Sequence, residues 1–225
     1  MRNGKYCMEL IKQYVGSIPK DIDVYEFCSG ITEIIRLEYI KRHIDIQRLQ
    51  TNPTERLTAS AIVYSAYRQQ IWMIGDCQCI ADNTFYDNPK PQESTLADKR
   101  AEYLQNAINN GMSIDEIQIE DPGRRYILQE LIESCKEQNN TYAVIDGFDI
   151  PQNKIKKIDI KNPNTEIVLA SDGYPVLRAT LKDSEDELNK QLLNDPLCIH
   201  TFKATKGLIK GNRSFDDRSY IRFKG

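Results

Sequence analysis

The chain has 225 residues, 40% hydrophobic and 28% charged, with 30 Lys and Arg against 33 Asp and Glu for a formal net charge of −3. That length suits one domain of ordinary size, and the near-balanced charge, with a sequence pI near 5.6, lacks the basic footprint of a nucleic-acid binder. A mean hydropathy of −0.56, with no apolar run approaching roughly 18 residues, excludes a membrane-spanning helix.

The opening MRNGKYCMEL has no apolar stretch of signal-peptide length. The six cysteines, Cys7, Cys28, Cys77, Cys79, Cys135 and Cys198, are too sparse for a disulfide scaffold, so a cytoplasmic protein with reduced thiols is expected. The two histidines, His43 and His200, cannot build a multi-His metal site. Any chemistry falls mainly to carboxylates.

From Lys5 to Val15, Tyr6, Leu10, Ile11, Tyr14 and Val15 recur at three- and four-residue spacing, which predicts an amphipathic helix. Asp21 or Asp23 can cap a longer one over Tyr25 to His43, with Gly30 marking close packing within it. Leu57 to Tyr67 and Ile71 to Asp76 then read as neighbouring antiparallel strands, continued by CQCIAD as a meander. Helical period returns over Ser94 to Asn110 and again after Asp121-Pro122 through Cys135, where an acidic cap followed by proline is a start signal. Strands are expected at Thr141 to Gly147, in KIKKIDI, and at Glu166 to Ser171, the last near-continuously apolar and so central. A short helix near Ser184 to Leu193 and a strand at Ser219 to Phe223 close the series. Grouped strands and grouped helices argue for an α+β layered sandwich. No repeat or linker is visible, so residues 1 to 225 are read as one domain.

Three aspartates sit at strand boundaries: Asp76 ends WMIGD, Asp172 follows EIVLAS, and Asp216 with Asp217 precedes SYIRF. A carboxylate at the end of a buried strand costs desolvation energy unless a donor or cation lies beside it. Several converging carboxylates repel one another, and a hard divalent cation such as Mg2+ or Mn2+ relieves that repulsion through oxygen ligands. Taken singly, Asp172-Gly173 or Asp146-Gly147 reads as a turn dipeptide.

Taken in order, the segments TASAIVYSAYRQQIWMIGDCQC, LASDGYP and GNRSFDDRSYIRF resemble the metal-dependent Ser/Thr protein phosphatases of the PPM (type 2C) family. That family has a hairpin ending Gly-Asp-Ser-Arg, where Cys77 and Gln78 stand here. Its late Leu-Ala-Ser-Asp-Gly motif is matched at Leu169 to Gly173, and its closing Asp-Asn-x-Ser/Thr is similar to Asp216-Asp217-Arg218-Ser219. The resemblance implies a β-sandwich of mainly antiparallel sheets flanked by helices in αββα layers, N-terminally short. It implies a Mg2+ or Mn2+ two-metal centre with Asp172 and Asp216 as ligands, Gly173 beside it, and Asp76 helping to hold a further metal. A phosphoserine or phosphothreonine protein is the implied substrate or partner, hydrolysed by metal-activated water, with no nucleic acid and no membrane involved.

The sequence also departs from the family. The opening strands with their phosphate-binding arginine, the early Glu-Asp and the Asp-Gly-His-Gly-Gly loop are not in it, and KYCMELIKQYV resembles the helix that follows that loop. A phosphatase whose N-terminal strands lie outside this chain accounts for the pattern. So does a catalytically impaired pseudophosphatase that binds a phosphoprotein; the third reading is an unrelated α+β protein in which the Asp-Gly pairs are turns. Two further features read as structural: Cys77-x-Cys79 as a pair of small buried residues, and the basic run Lys203, Lys206, Lys210, Arg213 and Arg218 as a solvated surface, although that run also suits a phosphorylated partner.

Overall fold

Two amphipathic helices open the chain: α1 (Asn3–Val15) and α2 (Val24–Lys41). Asp23 caps α2 by accepting from the Tyr25 and Glu26 backbone N–H groups while Glu26 reaches back to the Asp23 N–H, a capping box that satisfies donors the helix itself leaves unpaired. Gly30 lies where a methyl group would overlap the Tyr14 ring, the close packing expected of it. The structure, a computed structural model, describes residues 3–162 and 164–225.

The strands form two antiparallel sheets. β1 (Ala61–Ser65), β2 (Gln70–Ile74) and β5 (Lys156–Asp159) make the first in the order β1-β2-β5. β3 (Gln78–Ala81), β4 (Thr84–Asp87), β6 (Glu166–Ala170) and β7 (Tyr220–Lys224) make the second in the order β4-β3-β6-β7. Trp72 therefore lies between Val63 and Lys157, and Leu169 between Cys79 and Ile221. The expected meander is broken: the chain leaves the first sheet after Ile74 and enters the second at Gln78, so β2 and β3 do not pair. The cause is local, since Gly75 has φ +88°, a left-handed conformation that side chains disfavour.

Alternation along β2 decides what each face covers. Ile71 and Met73 point into a core with Cys79, Ala81, Ile158, Ile167 and Leu169 from the facing sheet and β5. Trp72 and Ile74 point the other way, onto Cys7 and Leu10 of α1 and Phe27, Ile31, Ile35 and Tyr39 of α2. On the outer face of the second sheet, Val168 and Ala170 pack with Tyr174 and Leu177. The α+β sandwich expected from the sequence is present, with helices over the first sheet.

The remaining helices are α3 (Ile46–Thr51), α4 (Glu93–Asn109), α5 (Ile114–Ile119), α6 (Pro122–Tyr126), α7 (Leu128–Ser134) and α8 (Leu181–Asn194). The single helix expected after Pro122 is two, broken at Ile127. Thr141 to Gly147 is not a strand: it makes two isolated bridges, Ile145 to Ala59 and Tyr142 to Gln138, and joins neither sheet. Its backbone is held instead by side chains, with Tyr39 Oη donating to the Asp146 carbonyl at 2.8 Å and Asn139 Oδ1 accepting from Val144 N–H at 2.9 Å.

Candidate functional site

Asp76, Asp172 and Asp216 come from three loops at one end of the sandwich. Asp76 follows β2 directly after Gly75, whose carbonyl accepts from Cys77 N–H at 3.1 Å and from Asn88 Nδ2 at 2.9 Å. Asp172 follows β6, and Asp216 precedes β7. The last two loops are joined, since Ser171 N–H donates to the Ser219 carbonyl at 3.2 Å and Ser219 N–H to Ser171 Oγ at 2.9 Å. Gly173 sits against the Asp217 carbonyl, where any side chain would collide. Pairing of neighbouring strands thus carries two of the sequence-predicted carboxylates to one place.

Four further residues complete the surroundings, three of which sequence reasoning did not single out. Glu93 opens α4, Lys90 lies in the loop before it, Arg124 is on α6, and Lys206 follows Thr205 in the loop after α8. With Asp172, Asp216 and Thr205 they line a cavity of about 190 Å3. Lys90 also lines an adjoining cavity of about 410 Å3 that reaches Asp76. Only Lys206 belonged to a feature the sequence had flagged, the basic run.

Charge balance within the site is largely internal. Asp76, 8% exposed, accepts from the Lys90 ammonium on one oxygen and from Ser60 Oγ on the other. Burial alone would push its pKa up, but Lys90 and Ser60 hold it below the usual aspartate value. Lys206 Nζ lies 2.5 Å from an Asp216 oxygen. Asp172 has no such partner among the described residues. Burial first, then the charges of Asp76 and Asp216, push its carboxyl up to about 7. Burial likewise raises Glu93, even with Lys90 nearby.

The wall that carries Thr205 and Lys206 is held by a buried arginine. Arg100 of α4 is fully enclosed. Its Nε and Nη2 donate to Asp121 at 3.0 and 2.7 Å, while Nη1 donates to the Leu197 and Ala204 carbonyls, each at 2.9 Å. Two nitrogens on the one Asp121 oxygen Oδ2 and a third on backbone carbonyls fix the guanidinium's direction as well as its distance. It ties α4, the start of α6 and the segment beyond α8 into one frame around the cavity.

The oxygen donors are of the hard type that Mg2+ or Mn2+ prefers, but their arrangement does not suit these ions. Among the described residues no three Asp, Glu, His or Cys side chains are grouped to hold a metal ion, and Asp76 and Asp216 are each committed to a lysine. A two-metal centre does not fit these side chains as they stand. The basic run is also largely spent on ion pairs: Lys203 with Asp98, Lys210 with Asp115, and Arg218 with Glu185. All six cysteines are free. Burial pushes thiols such as Cys79 up to about 12, which suits packing and not reaction. Among the described residues no helix is long and apolar enough to cross a membrane.

No protein-family model matches the sequence, and no curated protein matches it. Among solved structures the chain is similar to the crystal structure of the Mycobacterium tuberculosis serine/threonine phosphatase PstP/Ppp. The identity is 11%, 85% of this chain and 75% of that chain are covered, and the TM-score is 0.34. That distance carries no residue role and no activity across, so the function has to be argued from the cavity itself.

Proposed function

We propose that this chain is a phosphatase-like protein that takes the phosphorylated serine or threonine of a protein partner into the cavity between Asp172, Asp216, Glu93 and Lys206, and that it binds without hydrolysing. The observation that carries the reading is the convergence of three short motifs, at Asp76, Asp172 and Asp216, beside a cavity that also holds cationic side chains. Lys90 and Lys206 perform within the chain the neutralisation that a divalent cation would otherwise supply. Fixed positive groups in a partly enclosed site favour a phosphate dianion more strongly than the same groups in open water.

One observation favours hydrolysis as a second reading. Asp172 is half-buried, close to other carboxylates and without an ion-pair partner among the described residues, with its carboxyl pushed up to about 7, and a cation would relieve that repulsion. This reading requires Lys90 and Lys206 to give way to Mg2+ or Mn2+.

A labelled phosphothreonine peptide separates the two when offered to the 225-residue protein in EDTA and again with Mn2+. Phosphate-dependent binding in EDTA with no release of phosphate under either condition supports the first reading. Mn2+-dependent release that Asp172→Asn abolishes establishes the second. A protein that neither binds the phosphopeptide nor releases phosphate would falsify both.

A further inference from the structure

Five cationic side chains lie near the cavity, and four of them are committed to a carboxylate or stand at its margin. Lys90 is bound to Asp76 and Lys206 to Asp216. Arg218 grips Glu185 through Nε and Nη2 at 2.7 and 2.6 Å, and Arg213 is exposed and lines a neighbouring cavity. Arg124 differs. It lines the same cavity as Asp172 and Asp216, is half-buried, and makes no ion pair among the described residues.

Its placement is nevertheless fixed. The Arg124 N–H donates to Asp121 Oδ1 at 2.8 Å, and Nη1 donates to the Thr205 carbonyl at 2.8 Å and to Thr205 Oγ1 at 3.1 Å. Asp121, the nearby carboxylate that might have taken the rest of the guanidinium, is occupied on its other oxygen by Arg100. That leaves the Nε and Nη2 edge of Arg124 without a hydrogen bond among the described residues. The same edge is the one with which Arg100 and Arg218 grip carboxylates here, and it matches two oxygens of a tetrahedral oxyanion. Enclosure of the guanidinium lowers its pKa, the mark of a charge separated from water with its partners incomplete.

We propose that Arg124 is the residue that binds the phosphoryl group in this cavity, through Nε and Nη2, with Thr205 holding the guanidinium in orientation. The inference deepens the phosphoprotein-binding reading and rests on it. It gives the chain a phosphate-binding arginine of its own, on α6, unlike the N-terminal strand arginine of the family its motifs resemble. Of the neighbouring carboxylates, Asp216 is neutralised by Lys206.

The test is the affinity of the full chain for a labelled phosphothreonine peptide in EDTA, alongside its unphosphorylated twin. Arg124→Ala is expected to weaken phosphopeptide binding about tenfold or more, and Arg124→Lys to recover only part, because an ammonium cannot present two parallel donors. Thr205→Val, which removes the hydroxyl contact but keeps the carbonyl that holds Nη1, is expected to weaken binding by about threefold, well short of the loss in Arg124→Ala. If Arg124→Ala does not fold, Arg124→Gln carries the same comparison. Parent-like binding by the folded Arg124 variant overturns the proposal, as does a loss in Thr205→Val equal to that in Arg124→Ala, which would make the arginine a structural brace. Inorganic phosphate serves as a second probe by thermal shift. If the parent ignores the peptide but is stabilised by phosphate in an Arg124-dependent way, the phosphoprotein reading fails and the anion site stands; if neither probe binds, both fall.

Discussion

Lys90 donates its ammonium proton to the Asp76 carboxylate, so the aspartate that ends the WMIGD segment is neutralised by a lysine 14 residues further along the chain. Asp76 is nearly enclosed, whereas the Lys90 side chain keeps about a third of its surface. Removing one partner of such a pair strands the other charge. Lys90→Met is expected to destabilise the fold by about 1–3 kcal/mol, discounted from a fully buried pair because the lysine is partly solvated. The double variant Lys90→Met/Asp76→Asn should recover more than half of that loss. Urea melts of the four proteins in the cycle check it, and strictly additive losses would show that the pair is not coupled.

Asp172 carries the pH dependence of the site. Its carboxyl rises from 3.8 to about 7 in the folded chain through burial and the charges of Asp76 and Asp216. Between those values the folded protein holds a proton that the unfolded chain has released, so the stabilising effect of that proton is complete below pH 3.8 and is lost as pH rises through about 7. Asp172→Asn never bears the charge. Its advantage over the parent should therefore be absent near pH 4, grow toward pH 7 and level off above, reaching on the order of 1–3 kcal/mol. Melting temperatures of the two proteins across that range decide the matter, and a difference that does not vary with pH refutes it.

Gly173 tests whether the two loops really act together. An added methyl group would overlap the Asp217 carbonyl and press on the Arg218 side chain, and backbone cannot give way as a flexible side chain can. Gly173→Ala should destabilise by about 1–3 kcal/mol and shift the Asp172 and Asp216 loops apart. Phosphopeptide binding is expected to weaken along with stability. A variant as stable as the parent would mean that the loops are not in this contact.

Much of the frame was legible because it depends on short-range patterns. The helical stripes of α1 and α2, the Asp23 cap and the apolar β6 follow from spacing alone, and Asp76, Asp172 and Asp216 announced themselves as carboxylates at strand boundaries. Two errors have physical causes. TYAVIDG has the composition of a strand, but Asn139, Arg56 and Tyr39 take its polar groups, so it runs as irregular chain. The meander failed at Gly75, whose left-handed φ turns the chain from one sheet into the other. The short helix α5 had a local sign that went unread, the capping box of Ser113 with Glu116. Glu93 and Arg124 had none, since tertiary packing of α4 and α6 brings them to the aspartates and no spacing along the chain encodes that.

The crossing at Gly75 sets a mechanical condition on the charges. Asp76 rides on the seam between the sheets, while Asp172 and Asp216 are both anchored to the second sheet. A slide of one sheet over the other therefore moves one carboxylate against the other two. Met73 and Leu169, buried between the sheets and outside the cavity lining, govern that slide through their volume. The distance between the site's charges is in this sense a readout of core packing, and a substitution deep in the sandwich will be felt at the cavity as a change in electrostatic repulsion.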